Sequence, residues 1–186
     1  MNDAARLFEA ALDWLRDHYN DYLFRREDDV VTVLWGQMVR IAKTTGLPLE
    51  IDYETKFVVS CGRLQCDIVV FDADRKPVLC VEVKYEPART RPDIAKRALK
   101  HSRPEHLLPG HGLKGHLCDI EKIPFYVNEA GAEVGYAVFI DENSYHYSRL
   151  EDGRLPKGTR WIQWRAKTSD GFDTAIMVTR VPFGGC

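Results

Sequence analysis

The sequence predicts an α/β fold in which a central mixed β-sheet is flanked by helices. Apolar residues recur at helical spacing over residues 3–41, and short apolar segments separated by turns follow over residues 49–84. Strand patterns return between residues 136 and 181. With 186 residues, 45% of them hydrophobic and 29% charged, the chain is expected to form one globular domain over residues 1–186.

Two amphipathic helices are predicted ahead of the sheet. The first covers residues 3–24, and the second begins at the acidic cluster 27–29, because acidic side chains are favourable at a helix N-terminus. Gly46 and Pro48 are expected to end the second helix. The apolar positions are Leu7, Ala11, Trp14, Leu15 and Tyr22 in the first helix, and Val30, Val31, Leu34, Trp35, Met38 and Ile41 in the second.

A three-stranded meander is predicted next, over residues 57–59, 66–71 and 78–83, since β-favouring apolar segments alternate there with turn residues. Residues 92–101 are expected to form a basic helix, followed by a loop rich in Gly, Pro and His. Later strands are predicted at residues 136–140, 144–150, 159–164 and 175–181.

Charge is polarised along the chain, although the net charge is only -2. Residues 84–103 carry seven basic against two acidic side chains, or +5, whereas residues 1–29 carry four against eight, or -4. A basic helix can follow a phosphate backbone, so Lys96, Arg97 and Lys100 are candidate nucleic-acid contacts. An ordinary solvated helix face is an equally open interpretation of the same residues.

Cysteine usage and hydropathy favour a cytoplasmic protein with reduced thiols. The five cysteines form no CxxC pair, which argues against a disulfide framework and against zinc-finger spacing. No apolar run approaches the length of a membrane span, and the N-terminus lacks the features of a signal peptide. No membrane partner is therefore expected.

The chemical information is concentrated in the hairpin made by the second and third predicted strands. If its turn is centred directly after Asp74, paired positions sum to 149, which places Asp67 opposite Glu82. Directly opposed residues share a face of the sheet, with Cβ atoms about 4.5–5.5 Å apart. The two-residue period of a strand puts Lys84 on that face as well.

Opposed carboxylates in an apolar hairpin repel each other and lose solvation, so a cation is expected beside them. Oxygen ligands from Asp67 and Glu82 suit Mg²⁺ or Mn²⁺. Such an ion acidifies a bound water and stabilises charge on phosphorus, as phosphodiester hydrolysis requires, and Lys84 is placed to orient the phosphate or activate the water. For an isolated Glu-x-Lys motif, a solvated surface charge pair is the alternative.

An Asp, a short loop and then Glu-x-Lys at the end of an apolar strand resembles the PD-(D/E)XK nuclease superfamily. The resemblance covers about residues 25–105 and implies a restriction-endonuclease-like core, extended by the strands of residues 136–181. It implies a Mg²⁺- or Mn²⁺-dependent nuclease acting on DNA in restriction, defence or repair. By the same resemblance, Glu27 is an accessory catalytic acid, the Val83 backbone carbonyl is a further metal ligand, and two copies can pair as a homodimer.

Two features depart from the family pattern. Cys66 stands where many members have Pro, and residues 94–101 lack the Gln and Tyr that some subfamilies carry on the helix after the Lys. Asp28 or Asp29 could also take the role of Glu27. Two further functions stay open: an inactive module of this fold that binds nucleic acid or a protein, and a nuclease acting on RNA or a nucleotide messenger.

Overall fold

The computed structural model of the chain describes residues 2–86, 116–142, 158–167 and 173–182. Within these ranges the fold is α/β, with a six-stranded mixed sheet between helices. The helices are α1 (Asp3–His18), α2 (Glu27–Thr45) and α3 (His116–Asn128), with a 3-10 turn at Tyr19–Asp21; the strands are β1 (Glu50–Val59), β2 (Gly62–Phe71), β3 (Pro77–Glu86), β4 (Val134–Glu142), β5 (Thr159–Lys167) and β6 (Asp173–Pro182).

The strand order is β1-β2-β3-β4-β6-β5, which places β3 near the middle of the sheet. Every neighbouring pair is antiparallel except β3 and β4, which run parallel. A parallel pair needs a crossover connection, and α3 lies in the segment between β3 and β4. The predicted meander and the strands around residues 136–140, 159–164 and 175–181 are confirmed.

α1 is shorter than the predicted helix, so the predicted end at residue 24 is wrong. Helical geometry stops at His18, and Tyr22 is extended, with φ -119° and ψ 146°. The reason is tertiary, because the chain turns here to bury Tyr19 and Phe24, whose ring centroids lie 5.0 Å apart. Tyr22, expected on the apolar face of the helix, is instead 40% exposed.

The predicted start and end of α2 are confirmed. The helix begins at Glu27, and the Asp29 carboxylate accepts hydrogen bonds from the backbone N–H groups of Arg25 and Arg26 at 2.8 and 3.1 Å. Gly46 ends the helix in the left-handed conformation, with φ 67°, which glycine adopts without strain. The N-terminal cap fixes the position of Glu27 as the first residue of α2.

The two faces of the sheet are covered by different helices. Alternate residues of β3, including Leu79, Val81 and Val83, pack into a core with α1 and α2, while Cys80 packs into a second core with α3. Because side chains alternate along a strand, Glu82 faces the α3 side. A Cβ atom at Gly135 would overlap the Ile123 side chain, so this glycine allows α3 to lie directly on β4.

α3 is an element that the sequence analysis does not predict. Pro124 lies inside it and cannot donate the hydrogen bond of a regular turn, which weakens the helical signal. The predicted strand at 144–150 and the basic helix at 92–101, with Lys96, Arg97 and Lys100, lie outside the described residues. Among the residues that are described, no helix is long and apolar enough to cross a membrane.

Candidate active site

The β2–β3 hairpin adopts the register predicted from its turn. Ile68 pairs with Val81 and Val70 with Leu79, so paired positions sum to 149. The regular pairing ends at Ile68 and Val81, and a shift between Val70 and Phe71 absorbs the turn. Asp67 and Glu82 are the next positions outward in the same register, which places them side by side where the ladder opens.

Asp67 lies at a break in the pairing with β1 as well. Tyr53 pairs with Ile68 and Thr55 with Cys66, but no pair joins Glu54 to Asp67, and Glu54 has a positive φ of 54°. A non-glycine residue in this conformation is locally strained, and such positions cluster at functional sites. The distortion isolates Asp67 from regular pairing on both of its neighbouring strands.

The Asp67 carboxylate takes over a hydrogen bond that a strand partner would otherwise make. Its Oδ2 accepts from the Val83 backbone N–H at 2.7 Å. The N–H and C=O of one strand residue point to the same neighbour, so the Val83 carbonyl is directed to the same side as Asp67. This orientation suits the predicted role of the Val83 carbonyl beside the two acids.

Glu82 is buried, with 3% of its surface exposed, and each carboxylate oxygen has a partner from α3. Oε1 lies 2.5 Å from the Tyr126 hydroxyl, and Oε2 lies 3.5 Å from the Lys122 Nζ. The Tyr126 hydroxyl also lies 3.1 Å from the Gln65 carbonyl oxygen, and its single hydrogen serves one acceptor fully. The Tyr126 hydroxyl donates to Glu82 over the shorter contact, and the Gln65 carbonyl is the more distant acceptor.

Burial and repulsion by neighbouring carboxylates raise the pKa values of both acids. Burial, then repulsion by Asp67, raises the pKa of Glu82 to about 8. Burial raises the pKa of Asp67 to about 6; the Val83 hydrogen bond opposes this shift, and repulsion by Glu27 adds to it. The two carboxyl groups therefore form an acidic pair whose charges the surrounding residues do not fully compensate.

Lys84 and Glu27 form an ion pair at the edge of this acidic pair. The Lys84 Nζ lies 2.8 Å from Glu27 Oε2, and both side chains are about one third exposed. Burial raises the pKa of Glu27 although Lys84 opposes the shift. Of the three acids at the start of α2, Asp29 caps the helix and Asp28 lies beside Arg26, so Glu27 is the one that meets Lys84.

α3 contributes three side chains that the sequence analysis missed. Asp119, Lys122 and Tyr126 follow one another at intervals of three and four residues, which places them on one helix face. Lys122 Nζ lies 2.8 Å from Asp119 Oδ1. Recognising this spacing would have required predicting α3 first.

The donor set fits a hard divalent ion with an incomplete protein shell. Asp67, Glu82 and the Val83 carbonyl offer oxygen ligands, whereas no three His, Cys, Asp or Glu side chains converge on one point in the described ranges. Mg²⁺ commonly takes one or two carboxylates and keeps several waters. A buried acceptor nearby, Asp119 Oδ2, has no hydrogen-bond partner, so the surroundings retain unmet acceptor capacity.

A separate cavity of about 510 Å³ lies elsewhere in the fold. Its wall includes Glu9, Tyr136, Arg160 and Arg180. Val178 of the same wall packs into the core with α1 and α2, so this cavity belongs to the face opposite α3. It contains none of the predicted site residues.

Comparison with known proteins adds no relative to this description. No family model, no curated protein and no solved structure matches the chain.

Proposed function

We propose that this protein is a metal-dependent nuclease that hydrolyses phosphodiester bonds in DNA, built on a restriction-endonuclease-like core. The single observation that carries the proposal is the pair formed by half-buried Asp67 and buried Glu82, held side by side with raised pKa values at the open end of the hairpin. Acids with strongly perturbed pKa values are characteristic of functional sites. A purely structural pair would gain stability from neutral side chains in the same place.

Each proposed ligand is oriented by a neighbour. Asp67 is held by the Val83 N–H, and Glu82 is held by Tyr126. Asp67, Glu82 and the Val83 carbonyl would hold Mg²⁺ or Mn²⁺. When bound, the ion supplies Lewis acidity toward the phosphate and lowers the pKa of the attacking water.

Lys84 performs the remaining chemistry in this proposal. Its ammonium group binds the scissile phosphate or holds the attacking water, and it stabilises the negative charge that develops on phosphorus. Glu27 keeps Lys84 charged and limits its rotation, since the two groups lie 2.8 Å apart. Glu27 is therefore an accessory acid that acts through the lysine.

Substrate binding involves the basic segment after β3. Lys96, Arg97 and Lys100 follow Lys84 closely in the chain, and phosphate contacts from them would supply affinity without sequence preference. A homodimer would bring two such sites to the two strands of a duplex.

Cleavage assays on the purified protein test the proposal. Supercoiled plasmid, single-stranded DNA and RNA are incubated with Mg²⁺, with Mn²⁺ or with EDTA. We expect metal-dependent cleavage of DNA that Asp67→Asn abolishes and that Asp74→Asn, an exposed change in the turn of the same hairpin, leaves intact. Cleavage of RNA alone would show that the proposed DNA substrate is wrong. If no nucleic acid is cleaved, an inactive binding module is favoured instead.

A further inference from the structure

We propose that Lys122 neutralises Glu82 in the metal-free reaction centre and that this ion pair breaks when a divalent ion binds to Glu82. Lys122 then keeps its ion pair with Asp119 and serves as a second positive group for the substrate phosphate. The inference rests on the proposed nuclease function. It assigns roles to two residues of α3 that the Glu-x-Lys motif does not contain.

The contacts of Lys122 are unequal. Its Nζ lies 2.8 Å from Asp119 Oδ1 but 3.5 Å from Glu82 Oε2. Glu82 also has the short contact with Tyr126, so it keeps one partner if Lys122 leaves. The ion pair with Glu82 is therefore the weaker of the two and is the one that breaks more easily, while the ion pair with Asp119 holds Lys122 in place.

Asp119 provides independent evidence that the cluster lacks a positively charged or hydrogen-bonding partner. Its side chain is more than nine-tenths buried, yet Oδ2 has no hydrogen-bond partner. Buried carboxylate oxygens normally have partners, because leaving one without any is unfavourable. Asp119 interacts electrostatically with Glu27, Asp67 and Glu82, so the bare oxygen belongs to the same cluster of charges.

With every carboxylate ionised, the charges of the cluster balance when a divalent ion is added. Ionised, its four carboxylates and two ammonium groups sum to -2, which one divalent ion neutralises. Without Lys122 the sum would be -3. The members are Glu27, Asp67, Glu82 and Asp119 with Lys84 and Lys122.

Lys122 is accessible to a substrate. About 31% of its side chain is exposed, compared with 8% for Asp119 and 3% for Glu82. An ammonium group has three hydrogens to donate, and the two recorded contacts use two of them. After Glu82 is released, Lys122 can turn to a phosphate oxygen while it keeps Asp119.

A Mn²⁺ titration without substrate at about pH 8 tests the inference. The electron paramagnetic resonance signal of the free ion reports how much Mn²⁺ is bound. Lys122→Met removes the charge and keeps the length of the side chain, so the Kd for Mn²⁺ is expected to fall about tenfold. Asp119→Asn is expected to raise the Kd several-fold. Glu121→Gln, an exposed change of the same charge on the same helix, should leave the Kd within about twofold.

DNA cleavage separates a positioning role for Asp119 from general loss of structure. Lys122→Met is expected to cut about tenfold more slowly despite binding the ion more tightly, and Lys122→Arg should retain activity. In the Lys122→Met background, adding Asp119→Asn should change the cleavage rate little, because Asp119 acts through the lysine. A merely structural lysine would not tighten Mn²⁺ binding when it is removed.

The outcomes distinguish this inference from the proposed function. If the parent binds Mn²⁺ and cuts DNA but Lys122→Met binds the ion no more tightly, the inference about Lys122 is wrong and the nuclease proposal stands. If neither protein binds Mn²⁺, both are wrong. If Lys122→Met melts well below the parent, Lys122→Gln takes its place, and the inference is judged only by whether the Kd of Lys122→Gln for Mn²⁺ is lower than that of the parent.

Discussion

The metal-free protein is expected to lose stability as the pH rises, and Glu82→Gln should remove much of that loss. The pKa of Glu82 is raised from its ordinary value of 4.5 to about 8 by burial and by Asp67. Below about pH 4.5 the folded and unfolded chains both hold this proton. Between about pH 4.5 and 8 only the folded chain holds it, so stability falls as the pH rises through this window.

The magnitude follows from the size of the pKa change. One pH unit corresponds to about 1.4 kcal/mol, so a change from 4.5 to about 8 in a buried group amounts to roughly 5 kcal/mol. This is a large share of the roughly 5–15 kcal/mol that stabilises a typical domain. Gln has no charge to bury, and its side-chain oxygen can accept from the Tyr126 hydroxyl as the Glu82 oxygen does.

Urea unfolding in EDTA between about pH 5 and pH 9 measures this effect. We expect the free energy of unfolding of the parent to fall by a few kcal/mol across this range, and Glu82→Gln to flatten the curve and to be the more stable protein at the high end. Glu121→Gln, whose carboxyl is exposed, should keep the slope of the parent. A parent curve that rises toward pH 8, or a Glu82→Gln curve with the parent's slope, would refute the reasoning.

Three further predictions address binding and catalysis. Lys84→Ala should retain Mn²⁺ binding while cleavage falls about 10² to 10³-fold, and loss of the ion together with activity would show that Lys84 supports the metal. Asp67→Asn should lose both in calorimetric titration and plasmid cleavage, yet fold without metal, because the amide oxygen can still accept from Val83. Replacing Lys96, Arg97 and Lys100 together should weaken DNA binding and flatten its salt dependence, whereas an unchanged salt slope would mark them as a solvated face.

Local patterns were sufficient to predict the hairpin and its register. Alternating side chains and one turn centre determine which residues face each other, and the bulge at Val70 and Phe71 leaves the pairs beyond it unchanged. The start of α2 was equally local, since Asp29 caps it through its own neighbours. Asp67 and Glu82 could therefore be placed together from sequence alone.

Contacts between distant segments could not be predicted in this way. Tyr126 meets Glu82 across 44 positions, and Lys122 meets it across 40. Those contacts depend on the crossover that contains α3, and Pro124 inside this helix weakens its helical signal in the sequence. They also depend on Gly135, which lets the helix approach the sheet. The early end of α1 likewise depends on the core position of Phe24.

The most direct test of the central claim is anomalous diffraction from crystals of the protein soaked in Mn²⁺. We expect one strong peak between the carboxylates of Asp67 and Glu82, at about 2 Å from an oxygen of each, with the Val83 carbonyl also in contact. The peak should disappear in Asp67→Asn. A Mn²⁺ site elsewhere, or the absence of any bound ion in protein that cuts DNA, would contradict the assignment of these acids as the metal site.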